Sequence, residues 1–331
     1  MLEICQLGAG RIGAIHADNV ARHPRARLSW VVDVSKDACE SLAKKYGARA
    51  TPSADEALAD PKVGAVLIAS PTPTHVDLIL KAAKAGKAIF CEKPIDLSLS
   101  KVEACLAELD QAAVPFFIAF NRRFDASFRK LKAELDLGRI GSLETLAITS
   151  RDPRPPPLEY VKVSGGIFRD MMIHDFDTAR WILGEEPVEV FASGSCLVDP
   201  EIGRAGDVDT AMVTMRTASG KLCHISNSRR AVYGYDQRIE AFGSKGMLQA
   251  GNVLESTVTR SGEQGVVAEK PLDFFLERYA GAYQAELDHF VNGVLDKKSL
   301  SPSAKDGRMA LVLAEAANRS RAEKRPVEVT A

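Results

Sequence analysis

The sequence predicts an α/β protein: an N-terminal doubly wound parallel sheet, followed by an α/β domain with a large, mostly antiparallel open sheet. Three observations predict it. A glycine turn, Gly8-Ala9-Gly10-Arg11-Ile12-Gly13, follows the apolar run 2–7 and opens a stretch that can continue as a helix. Apolar strands then alternate with helical stretches as far as Phe120, the rhythm of a parallel sheet. Beyond it, strands come in series without regular helices between them, as in antiparallel sheets. The expected domains are therefore 1–120 and 121–331.

Each element has a local reason. In the turn, Gly8 permits a tight bend, Gly10 lets the backbone approach a pyrophosphate, and Gly13 allows helix to pack closely on strand. The helix start then offers unpaired N–H groups to phosphate. A second strand, 28–32, ends in Asp33, 20 residues beyond Gly13 and about where a ribose-binding carboxylate belongs. Two ribose hydroxyls can share one carboxylate, whereas a 2′-phosphate would meet like charge, so Asp33 favours NAD over NADP. Asp33 could instead cap the helix over 36–46, although Ser35 is available for that. Gly47 stops this helix, and Ser53-Ala54-Asp55-Glu56 reads as a capping box. The third strand, 63–69, is nearly continuous in apolar residues and runs into Ser70-Pro71-Thr72-Pro73-Thr74-His75. Two prolines stiffen this loop at a strand's carboxyl end, where ligands sit in open α/β sheets. Thr74 can cap the next helix. A fourth strand, 86–91, leads into Glu92-Lys93-Pro94, a helix reaches Gln111, and 114–120 is another strand.

In the second half a helix over 124–137 stops at Gly138, and 143–149 reads as a strand. The proline-rich stretch 151–164 is a loop. A single helix is expected over 166–183, ending at Gly184. Strands are expected near 188–198, 207–217, 221–228, 237–242 and 254–259, with Gly220 turning between the second and third. Helices over 272–295 and 302–321 close the chain.

Composition narrows the function. A formal net charge of -1 and no long basic run give no reason to expect nucleic acid or an anionic membrane as partner. No apolar run is long enough for a membrane span, and no basic segment with an apolar core suggests a secretory signal. Six cysteines, at 5, 39, 91, 105, 196 and 223, form neither CxxC pairs nor a zinc cluster. A cytoplasmic chain without disulfides or metal is the expectation.

Three polar stretches carry the chemistry. Lys93 follows a sheet strand and is held away from the α region by Pro94; the alternative is an ordinary surface pair with Glu92. Asp170 and His174 lie four apart and would share a helix face, where a carboxylate near an imidazole supports proton acceptance. The alternative is a helix-stabilising pair, and Asp175 and Asp177 are competing acids. Asn121-Arg122-Arg123 sits at the domain boundary, where arginines could hold phosphate, hydroxyls or nicotinamide, or form an interdomain salt bridge. One lysine and one histidine beside a nucleotide site, without zinc ligands, suggest metal-free hydride transfer, with His174 taking the hydroxyl proton.

These motifs, in this order, resemble the glucose-fructose oxidoreductase/inositol dehydrogenase/rhizopine-catabolism (Gfo/Idh/MocA) family over nearly the whole chain. Glu92-Lys93-Pro94 is the most specific of them. The resemblance implies a Rossmann domain followed by an open-sheet domain that forms dimer and tetramer contacts, so a homotetramer or homodimer is expected. Within the family the chain is most similar to inositol 2-dehydrogenases, which implies NAD-dependent oxidation of myo-inositol to 2-keto-myo-inositol (scyllo-inosose). Lys93, Asp170 and His174 match the family's active site, with His174 as general base and Lys93 and Asp170 assisting. Arg122 and an aromatic of the 233–236 segment, Tyr235, match substrate-contacting positions. Two departures touch the polyol pocket: Asp152 stands where some relatives have asparagine, and Asn121 where some have an apolar residue. The expected cofactor contacts are Gly8, Gly10, Arg11, Ile12, Gly13, Asp33, Val34, Ser70, Thr72, His75, Glu92, Lys93 and Arg122. Alternatives are a dehydrogenase of another inositol isomer or cyclic sugar, and a non-catalytic nucleotide-binding sensor.

Overall fold

The computed structural model describes residues 1–330. They form two compact units: Met1–Phe124 with Ala282–Leu311, and Asp125–Gly281 with the segment from Val312 onward.

In the first unit the elements run β1 (Leu2–Leu7), α1 (Arg11–Arg22), β2 (Ala26–Val32), α2 (Lys36–Tyr46), β3 (Arg49–Thr51), α3 (Ala54–Leu58), β4 (Ala65–Ile68), α4 (His75–Lys84), β5 (Ala88–Glu92), α5 (Leu99–Ala112) and β6 (Phe116–Ala119). All six strands pair in parallel, in the order β3-β2-β1-β4-β5-β6. The strand order reverses between β1 and β4, which pair Leu7 with Ile68. The glycine turn and the proline loop therefore leave the sheet side by side at the switch point, where such sheets bind ligands. Ile4, Leu67, Phe90 and Phe117 form the core, packed by Leu287, Phe290 and Val291 from the returning stretch. Strand β3 had no signal of its own: it is three residues long, and two of them are exposed.

The second unit contains α6 (Ala126–Asp136), β7 (Leu143–Arg151), α7 (Leu158–Val161), α8 (Ile167–Asp170), α9 (Ile173–Leu183), β8 (Pro187–Ser195), α10 (Pro200–Arg204), β9 (Thr210–Thr217), β10 (Leu222–Ser228), β11 (Asp236–Gly243), β12 (Gly246–Ala250), β13 (Thr259–Gly262), β14 (Gly265–Ala268) and α11 (Phe275–Arg278). Then come α12 (Ala280–Leu295), α13 (Ala304–Glu323) and β15 (Val327–Glu328). Seven strands pair as β12-β11-β7-β10-β9-β8-β15, and only β7–β10 is parallel. Ile148, Val190, Val213, Ile225 and Ile239 are buried on one face. On the other face Phe191, Met212, Leu222, Phe242 and Met247 remain exposed. The register aligns Met247, Phe242 and Leu222 in one row across the sheet.

Three expectations are corrected. The helix over 166–183 is two helices, α8 and α9, parted at Met171-Met172, so the four-residue spacing of Asp170 and His174 does not put them on one helix face. The stretch 254–259 is not one strand: Leu254 makes an isolated bridge to Pro271, Thr259 opens β13, and the strand after β11 is Gly246–Ala250. The helix over 272–295 is broken at Tyr279 into α11 and α12.

Candidate active site

In the first unit the three glycines of the turn have different physical reasons. Gly8 has φ +110°, and a Cβ there would stand 2.5 Å from the Ala69 carbonyl oxygen. A Cβ on Gly13 would stand 2.2 Å from the Gly8 oxygen. Gly10 is exposed, and a Cβ there would meet nothing within 4 Å. Two glycines are thus required by the fold, whereas the third leaves open space of the kind a close approach to phosphate needs. Gly10 is also the N-cap of α1 and supplies no side-chain cap, so the first-turn N–H groups face outward for an anion. Arg11 is exposed and Ile12 half-buried on that turn.

Asp33 Oδ2 accepts from the Ala9 N–H at 2.7 Å, and Oδ1 from the Ser35 N–H at 2.8 Å. It ties the end of β2 to the glycine turn. A carboxylate has about four acceptor positions, so two remain for ribose hydroxyls. Ser35 occupies the N-cap of α2 but makes no side-chain cap bond. Beside it Val34 is 95% exposed. These features fit NAD.

In the proline loop Ser70 and Thr74 hydroxyls are 2.6 Å apart, and Thr72 is half-buried. His75 is buried, its Nδ1 2.8 Å from the Pro94 carbonyl and its Nε2 2.8 Å from the Ser70 carbonyl. It links the proline loop to the segment carrying Lys93, which is half-buried and precedes a cis proline bond. Asn121 and Arg122 are buried in a short 3-10 turn after β6. Arg123 pairs instead with Asp306 of the same unit, at 2.8 Å.

In the second unit the register brings the ends of β7 and β10 beside the start of β11: Ser228 lies across from Arg151, and Arg151 from Asp236. Asp152 continues β7, and its N–H donates to the Ser228 carbonyl. Tyr235, just before β11, is buried edge-on to Tyr279 at 6.0 Å. Asp170 Oδ1 accepts from the Tyr160 hydroxyl at 2.7 Å, and Oδ2 lies 3.3 Å from Arg229, which is 1% exposed. Burial, and then the Asp170 charge, push the Tyr160 phenol well above its usual range, so it stays a donor. Arg229 also lies 3.6 Å from Asp207. The competing acids have structural partners: Asp175 accepts from Ser150 at 2.6 Å and Asn227 at 2.9 Å, and Asp177 lies 3.8 Å from Arg180. The Asp175 bonds fix the start of α9, where His174 is half-buried. Tyr160 and Arg229 escaped the sequence reading; a proline-rich loop and a strand end gave no spacing to find them by.

Residues 2–120 match the oxidoreductase family with an NAD-binding Rossmann fold, and residues 128–249 match the GFO/IDH/MocA C-terminal domain. The chain belongs to the Gfo/Idh/MocA family. Among its relatives, a myo-inositol 2-dehydrogenase of Thermotoga maritima is 51% identical, over 99% of this chain and 98% of its own. An inositol 2-dehydrogenase of Rhizobium meliloti is 50% identical, over 98% of each chain. The solved structure of scyllo-inositol dehydrogenase from Lactobacillus casei, with bound NAD(H) and scyllo-inositol, is 32% identical and superposes with a TM-score of 0.93 over 100% of both chains. The expected Rossmann domain and sheet domain of this family are thus both present.

Proposed function

We propose that this chain is an NAD-dependent inositol 2-dehydrogenase that oxidises myo-inositol to 2-keto-myo-inositol. The observation that carries the reading is its near-full-length 51% identity to a myo-inositol 2-dehydrogenase. NAD, when bound, accepts the hydride. The chain's own groups do the rest. Gly8, Gly10, Arg11, Ile12 and Gly13 hold the pyrophosphate, Asp33 the adenosine ribose, and Val34 the adenine face. Ser70, Thr72, His75 and Glu92 shape the nicotinamide side. His174 accepts the hydroxyl proton, Lys93 donates a hydrogen bond to the reacting oxygen, and Asp170 orients His174 or accepts from the neighbouring hydroxyl. Arg122, Asn121, Asp152 and Tyr235 contact the polyol. Asp152 and Asn121 set the preferred stereoisomer, because a buried polar group left unmatched costs affinity. Two chains or four associate through the exposed sheet face, in the cytoplasm, where its six free thiols stay reduced.

Steady-state rates with NAD and NADP over myo-inositol, scyllo-inositol, chiro-inositols, D-glucose and D-galactose test the assignment. Myo-inositol with NAD is expected to give the highest kcat/KM. No NAD-dependent oxidation of any inositol would sink it.

A further inference from the structure

Within the first unit, three side chains far apart in sequence meet in the core. His16 comes from α1, Glu92 from the end of β5 and Glu286 from α12. One ligating atom of each lies within 4.8 Å of the others. His16 and Glu286 are both 0% exposed. His16 Nε2 and Glu92 Oε1 are 2.7 Å apart, and neither oxygen of Glu286 has a hydrogen-bond partner among the described residues.

A fully buried carboxylate beside a second, half-buried one would carry a charge that the interior does not tolerate. Either a divalent cation or a proton must neutralise it. Two ligands of one tetrahedral zinc stand about 3.3 Å apart, given bonds of about 2.0 Å. The 2.7 Å contact is shorter than that and is a hydrogen bond. The geometry therefore favours the proton. Burial, and then the charge of Glu92, push the Glu286 carboxyl well above its usual range. The other titratable groups packed here are Tyr283, whose ring lies edge-on to His16, and Cys91, whose thiol burial and Glu92 push far up. Neither supplies a positive charge, and of the three cluster residues only His16 can carry one, in contact with Glu92 and not with Glu286.

We propose that Glu286 holds a proton beside the His16–Glu92 pair, and that with His16 it positions the Glu92-Lys93 segment against the helix that follows the glycine turn. His16 lies in that helix, and Glu92 is the residue before Lys93. Glu286 and His16 are positioning residues: they act through Glu92 on Lys93. The proposal deepens the dehydrogenase reading and rests on it for the kinetic part of its test only.

The first measurement needs no turnover. Infrared difference spectra of the NAD-loaded protein should show the C=O stretch of a protonated carboxylic acid, lost in Glu286→Gln. The second is kinetic. Glu286→Gln keeps a donor toward Glu92 and should hold kcat within about threefold of wild type. Glu286→Leu fills the space without a donor; it should keep the melting temperature but lower kcat by about tenfold or more, with KM for NAD nearly unchanged. The wild type should lose activity on the alkaline side as Glu286 ionises beside Glu92, and Glu286→Gln should lack that limb. The proposal is overturned by an absent acid band, by wild-type kcat in Glu286→Leu, or by a stoichiometric divalent metal in the purified protein. A wild type that shows the band but oxidises no inositol would fail the functional reading alone.

Discussion

Asp170 takes its position from two side chains outside its own helix, Tyr160 and Arg229. A carboxylate that accepts from a phenol and sits against a buried guanidinium is held in one orientation, which suits an orienting role. The proposed role of His174 as the group that receives the substrate proton can be tested directly. His174→Ala should bind NAD with wild-type affinity and lose about 10²–10⁴-fold in kcat, the usual contribution of a general base. Tryptophan fluorescence titration with NAD and steady-state kinetics check the two halves; wild-type kcat near neutral pH would remove His174 from the mechanism. Lys93 and His174 are proposed for the site because each stands in a short local motif, Glu92-Lys93-Pro94 and Asp170 to His174, that a sequence displays directly. Their supports were not legible there. Arg229, His16 and Glu286 act through contacts across many tens of residues, and Tyr160 reaches Asp170 from a proline-rich segment with no periodic pattern, so no local spacing encodes these contacts.

At the scale of elements, the glycine turn was legible because its constraint is local. Its three glycines nevertheless differ in kind, and this gives a sharp contrast. Gly13→Ala must push the backbone at Gly8 aside, because its Cβ would stand 2.2 Å from a carbonyl oxygen. It should lower stability by about 1–3 kcal/mol, the usual cost of overpacking. Gly10→Ala meets no protein atom within 4 Å. It should leave the melting temperature of the NAD-free protein unchanged and raise KM for NAD by about tenfold or more, about 1.4 kcal/mol of binding. Thermal melts with and without NAD separate the two. Equal melting temperatures for both variants would contradict the assigned roles. The split between α8 and α9 shows the opposite case. Met171, Met172 and Ile173 are all buried, and neither glycine nor proline interrupts them. The apolar run looks the same whether or not the helix is continuous, so tertiary packing alone places the break.

For the molecule as a whole, strand alternation revealed the first sheet and strand succession the second, because each follows from which faces are buried. The return of Ala282–Leu311 to the first unit left no such trace. Phe290 packs on Phe90 and Phe117 at ring distances of 5.5 and 6.2 Å, but its helical pattern would serve any apolar surface. The exposed face of the second sheet has the same ambiguity with a different outcome. Phe191, Met212, Leu222, Phe242 and Met247 are between 38% and 53% exposed, on a face that the register makes continuous. Apolar side chains exposed on a sheet whose other face is already filled are what the proposed association would cover. A stable interface needs about 1,000 Å² or more of buried surface, and charges placed at its centre are the most disruptive. Light scattering of the wild-type protein should therefore report a dimer or tetramer. The double variant Leu222→Lys, Phe242→Lys should shift it to smaller species while keeping the circular dichroism of a folded chain, since both side chains already face outward. A wild-type mass equal to one chain, or a double variant that stays assembled, would show that this face does not carry the association.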